Sequence, residues 1–208
     1  MKIQGFSAIS RDCPKLGAGM KATNEEGRTR YAFNKLKRLM ISVRDFQEAL
    51  SAATFLLEEV DQSEKYPLAE IRRFRCYETA MVIAYARPFS MARGEVGPLQ
   101  PKDTGLSMNA AEKSLHTKLI THRNTVYGHS DAEFVEMRVM LLRLPLDHDP
   151  DGFDWLMPRF EERMRFSLTE IGAIHEMLHK LVHALTRQCQ KFGASFKDRF
   201  TTYTIGVD

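Results

Sequence analysis

At 208 residues the chain has room for one well-filled core and little beyond it. Its 43% hydrophobic and 27% charged residues are those of an ordinary globular protein, and a formal charge of +3 is too mild for a dedicated duplex binder while still accommodating nucleic acid. No apolar run approaches the ~20 residues of a membrane span, the N-terminus lacks a signal-peptide pattern, and Cys13, Cys76 and Cys189 are scattered without a C-x-x-C. These features predict a cytoplasmic chain with reduced thiols and no membrane partner.

Residues 1–30 are rich in Gly, Ser, Lys, Arg and Asn without a sustained period, and read as an irregular arm; residues 31–208 then form a single helical-bundle domain. From Tyr31 the apolar positions Leu36, Leu39, Met40, Val43, Phe46, Leu50, Ala53, Phe55, Leu57 and Val60 recur at three- and four-residue steps, predicting a long first helix up to Asp61. After a connection over 61–67, Pro67 suits the start of a second helix running to about Arg87, with Ile71, Phe74, Tyr77, Met81, Ile83 and Tyr85 as its apolar positions. Residues 88–106 carry several prolines and glycines and predict a long loop, of a length often functional or mobile.

Asn109 and Glu112 have the spacing of a capping box and open a third helix. One stripe of this helix holds Leu115, Leu119, His122 and Val126, and a parallel one His116, Ile120, Arg123 and Tyr127. Beyond it the period changes. Val135, Met137, Val139 and Leu141 alternate with Glu136, Arg138 and Met140, while Phe160, Glu162, Met164 and Phe166 alternate less cleanly. Two strands flanking the turn-rich stretch 145–152 predict a small β-hairpin or irregular insert at about 134–166. A last helix is expected from about Thr169 to Phe192. The whole is an all-α bundle of four to five helices.

The chemistry concentrates in Thr121–Asp131, T-H-R-N-T-V-Y-G-H-S-D. Arg123 can hold the charge of a phosphate permanently, and His129 can move a proton near neutral pH. On a straight α-helix residues six apart do not share a face, so the pair requires a break; Gly128 is the residue type that ends a helix in the left-handed conformation. Asn124 offers a neutral amide to orient either group, and Ser130 and Asp131 can set the histidine tautomer. Such a pair suits RNA cleavage without metal: the histidine takes the proton of a ribose 2′-hydroxyl or gives one to the leaving 5′-oxygen, and the arginine stabilises the phosphorane. The competing reading is a Gly-His helix cap, with His129 favoured at the negative end of the helix dipole. Arg72 and Arg75 on the second helix, with Tyr127, are candidate RNA contacts; their alternative is an ordinary solvated face.

Two other motifs compete for attention. His175-Glu176-Met177-Leu178-His179 matches H-E-x-x-H, the zinc-hydrolase helix signature. A third protein ligand is missing: no Glu follows residue 176, Leu185 stands where the elongated motif needs histidine, and His183 lies ~12 Å along the helix from His175. Asp147 to Gly152 imitates the opening of a calcium loop, but its twelfth position is Pro158 in place of a bidentate glutamate.

The string R-N-T-V-Y-G-H-S-D, late in a helix of an all-α chain, resembles the signature of HEPN-domain proteins. The match falls on Arg123, Asn124 and His129, and the helices from about 32 to 195 fit the family's four- or five-helix bundle more loosely. The resemblance implies a metal-independent endoribonuclease that needs no cofactor. It further implies a homodimer with two Arg–His pairs facing one RNA groove at the interface, and a role in bacterial defence, abortive infection or a toxin–antitoxin system with an antitoxin protein as partner. A subclass with tyrosine three residues after the histidine is not matched, since that position is Ala132. The second expectation is a non-catalytic HEPN-type module that binds nucleic acid, nucleotide or protein, and the third a zinc hydrolase using His175, Glu176 and His179.

Overall fold

The computed structural model describes residues 24–91, 96–127, 137–146, 149–160 and 162–196. Among these, four α-helices run in the order α1 (Asn24–Glu59), α2 (Leu68–Ala86), α3 (Ala110–His122) and α4 (Leu168–Ala194), with one antiparallel hairpin, β1 (Met137–Leu146) and β2 (Asp149–Phe160), between α3 and α4. The chain is thus mostly helical with a small two-stranded sheet.

The core forms where α1 is packed on one side by α4 and on the other by α2. From α1 it takes Leu39, Phe46, Ala49, Ala53 and Leu56, whose three- and four-residue steps place them on one stripe. From α4 it takes Ile171, Ile174, Met177, Leu178, Leu181 and Leu185, and from α2 Phe74, Met81, Val82 and Tyr85. Ala49, Ala52 and Ala53 are small enough for the helices to approach closely, and each large side chain sealed here contributes roughly 1.5–3 kcal/mol by leaving water. Capping boxes start α3 (Asn109 with Glu112) and α4 (Ser167 with Glu170), as the spacing at Asn109 predicts.

The first helix begins seven residues before Tyr31. Residues 24–30 (N-E-E-G-R-T-R) hold no apolar side chain, so the period that marks a core face is silent there. The rest of the expected arm lies outside the described residues.

The stretch after α2 is docked on α1. Arg38 donates to the carbonyls of Gly97 (2.8 Å) and Val96 (3.3 Å), Lys35 pairs with Asp103 (2.8 Å), and Leu99 is buried. Short 3₁₀ turns occupy Arg87–Phe89 and Pro101–Thr104, and the second ends at Gly105 with φ of 69°, where a Cβ would run into the Gln188 side chain.

The hairpin differs from its expectation in one strand. β1 stands where the alternation puts it, but β2 is Asp149–Phe160 rather than a strand over 160–166. Phe166 is buried in the core as the chain turns into α4, so its place in the alternation belongs to a different element. Pro150, Gly152 and Pro158 hid β2 by reading as turn residues. They are tolerated because, among the described residues, both strands are edges without a second ladder partner. Among the described residues no helix is long and apolar enough to cross a membrane.

Candidate functional site

At Arg123 the α-helix gives way to a wider winding. Residues Arg123–Tyr127 form a π-helical turn continuous with α3. Within this turn Thr125 Oγ1 donates to the Thr121 carbonyl (2.9 Å). The regular α-helix passes into this wider turn after His122, and helical winding persists to Tyr127; the break expected at Gly128 falls outside the described residues. Gly128 and His129 lie outside the described residues, as do Ser130 and Asp131.

On this turn Arg123 is half-buried and its Nη1 donates to Oδ1 of exposed Asn124 (2.9 Å). The guanidinium is thereby held by a neutral amide, with no carboxylate paired to it among the described residues. Its remaining donors can meet a phosphate oxygen.

Tyr127 closes the turn from beneath. Its hydroxyl donates to Oε2 of Glu78 (2.7 Å), while Oε1 of the same carboxylate accepts the amides of Arg165 (2.7 Å) and Phe166 (2.8 Å). Glu78 is 1% exposed. Burial raises its pKa, opposed by the bonds from Tyr127, Phe166 and Arg165 and by the charge of Arg75. The Tyr127 hydroxyl is likewise pushed up, first by burial and then by the Glu78 carboxylate. One buried acid thus ties α2 to the Arg123 turn and to the return from the hairpin. Sequence reading passed over Glu78. The available signal was a charged residue on the apolar stripe of α2, four after Phe74 and three before Met81.

His122, one residue before Arg123, rests its ring on Phe166 (5.1 Å between centroids), and its Nδ1 is buried with no hydrogen-bond partner among the described residues. Burial lowers its pKa, aided by the charges of Lys118 and Arg165 and opposed by Glu170.

Arg72 and Arg75 face the hairpin return. Arg72 grips Glu162 in bidentate fashion (2.8 and 2.6 Å) and Arg75 lies 3.6 Å from the same carboxylate. Arg72 also lines a cavity of about 780 Å³ between the start of α2 and the base of the hairpin, whereas Arg123 does not. The H-E-x-x-H rings, His175 and His179, stand 4.7 Å apart, and Lys180 beside them pairs with Glu112 (2.8 Å). Among the described residues no group of three or more His, Cys, Asp or Glu side chains is placed to hold a metal ion.

No protein-family model matches the chain, and no curated protein or solved structure does.

Proposed function

We propose that the protein is a metal-independent endoribonuclease of HEPN type acting as a homodimer in the cytoplasm, with a role in bacterial defence or a toxin–antitoxin pair. The observation that carries this reading is the Arg123–Asn124 hydrogen bond on a π-turn, a distortion that recurs at functional sites because it re-aims side chains. Arg123 stabilises the charge of the phosphorane, Asn124 orients the guanidinium, and His129 exchanges the proton. The attacking 2′-oxygen forms its bond to phosphorus as its proton leaves. The 5′-oxygen departs with a proton, giving a 2′,3′-cyclic phosphate and a free 5′-hydroxyl. Arg72, Arg75 and Tyr127 are secondary RNA contacts in this reading; Glu162 and Glu78 already engage them, so RNA competes with those carboxylates.

The test is incubation of labelled RNA with the purified protein in EDTA, beside Arg123→Ala and His129→Ala. Cleavage by the wild type that both substitutions abolish supports the assignment, and persistent cleavage by His129→Ala refutes the mechanism. RNA binding without cleavage supports a non-catalytic binding module instead. That second reading is favoured by one observation, the arginine-lined cavity beneath an apolar hairpin.

A further inference from the structure

The H-E-x-x-H segment of α4 has no role in the proposed reaction, yet its two imidazoles are set against each other. His175 and His179 lie one turn apart on the same face of the helix, and their rings meet with 4.7 Å between centroids, inclined at 74°. Neither makes a hydrogen bond or an ion pair to a protein group among the described residues. His116, by contrast, has its Nδ1 2.8 Å from the Tyr85 hydroxyl. His175 is half-buried and His179 exposed, so the pair stands at the edge of solvent.

The spacing is that of a chelate. A borderline transition metal sits ~2.0–2.1 Å from an imidazole nitrogen and therefore about 3.2 Å from the ring centre. Two rings on one ion, at an angle between octahedral and tetrahedral, then have centres roughly 4.5–5.2 Å apart. The observed 4.7 Å falls inside that range. Little side-chain freedom remains to be lost when an ion arrives, which favours binding.

The helix beneath the pair is fixed. Ile174, Met177, Leu178 and Leu181 are sealed in the core on its other side, and ion pairs to α3 bracket the histidines, Lys118 with Glu170 before them and Lys180 with Glu112 after them. The second of these also engages the cation nearest in sequence to His179, while exposed Glu176 adds negative charge beside the rings. His183 follows one turn after His179 but makes no ring contact with it among the described residues. We propose that His175 and His179 form a two-histidine clamp for one divalent transition-metal ion of the zinc, nickel or copper class, with water in its remaining positions. The clamp is a binding site and not a hydrolytic centre, since a catalytic zinc is anchored by three protein ligands.

Calorimetric titration of the full chain with Ni²⁺, without RNA, tests the clamp independently of whether the chain cleaves. The wild type is expected to take up one equivalent with a Kd of tens of micromolar or tighter. Cu²⁺ should bind more tightly still, and Mg²⁺, which prefers oxygen ligands, should not bind at the same concentrations. His175→Asn and His179→Asn are each expected to raise the Kd for Ni²⁺ at least about tenfold, because one imidazole then loses the effective concentration of the other. His183→Asn, ~12 Å along the helix from His175, is expected to change it by less than about twofold. Electron paramagnetic resonance of the copper-loaded wild type should show two nitrogen ligands, and one in either variant of the pair, a signature that unfolding does not imitate. Circular dichroism of the metal-free variants should overlay the wild type. Ni²⁺ uptake that survives both substitutions would mark an adventitious ion only and overturn the proposal. So would the absence of uptake, a loss on substituting only one of the pair, or a His183→Asn protein weakened as much as His175→Asn.

Discussion

The hydroxyl of Tyr127 reaches 2.7 Å across from the Arg123 turn to the buried carboxylate of Glu78 on α2. With both of its other bonds running to main-chain amides ahead of α4, Glu78 fixes three segments together. Tyr127→Phe removes a single bond to a charged acceptor and is expected to cost about 1–2 kcal/mol. Glu78→Ala leaves two amides and a hydroxyl without their acceptor and is expected to cost about 3 kcal/mol. Urea denaturation measures both. A Tyr127→Phe protein with the wild-type midpoint would show that the turn is held by packing alone.

Asn124 is exposed and the half-buried Arg123 has Asn124 as its one side-chain partner among the described residues, so changing them should spare the fold. Asn124→Ala frees the guanidinium without removing its charge and is expected to lower kcat for RNA cleavage about tenfold with KM nearly unchanged. Arg123→Lys keeps the charge but loses the planar fork and is expected to cost about a hundredfold or more in kcat. Circular dichroism melts of both should overlay the wild type. A rise in KM alone for either variant would make the pair a docking contact rather than part of the transition-state machinery.

Much of the architecture was legible because burial leaves a period behind. The stripes of α1, α2 and α4 announce themselves, and the Asn109–Glu112 spacing marks the start of α3. What escaped has a shared cause. The opening of α1 holds no apolar residue, and β2 is apolar and exposed on both faces over 153–160, so neither carries the contrast between inside and outside that a pattern records. In the candidate site the motif named Arg123 and Asn124 but not their hydrogen bond or the π-turn beneath it, because neither leaves a period in the sequence. Glu78 was missed because a lone acid on an apolar stripe acquires its meaning only from donors 49, 87 and 88 residues away.

The loop after α2 offers a test of docking against mobility. Arg38 is buried against it and is the only side chain of the described residues shown donating to the carbonyls of Gly97 and Val96. Arg38→Ala deletes both bonds and the aliphatic packing of the stem, an expected loss of about 1–2 kcal/mol. Hydrogen exchange should accelerate locally over 97–106 while the core of α1 and α4 stays protected. Unchanged exchange in that loop would place its anchor elsewhere, at Lys35–Asp103 or at buried Leu99.

Three histidines give the stability of the fold a direction in pH. His116 is held below its ordinary value of 6.5 by burial, with its Nδ1 2.8 Å from the Tyr85 hydroxyl. His122 is lowered by burial and then by Lys118 and Arg165, and His175 by burial and then by His179. A histidine whose folded pKa is depressed binds fewer protons folded than unfolded. Stability is therefore full above 6.5 and is lost as pH falls from there through the lowered folded values. The urea midpoint is expected to hold from pH 8 to about pH 7 and to drop as pH falls to about 5.5. His122→Phe isolates one contribution: the ring still packs on Phe166, and the buried Nδ1 has no partner among the described residues to lose. That variant should be at least as stable as the wild type at pH 5.5, with a shallower dependence on pH. A His122→Phe protein that is destabilised equally at pH 8 and pH 5.5 would mean that this ring nitrogen is bonded after all, and that its protonation does not weaken the fold.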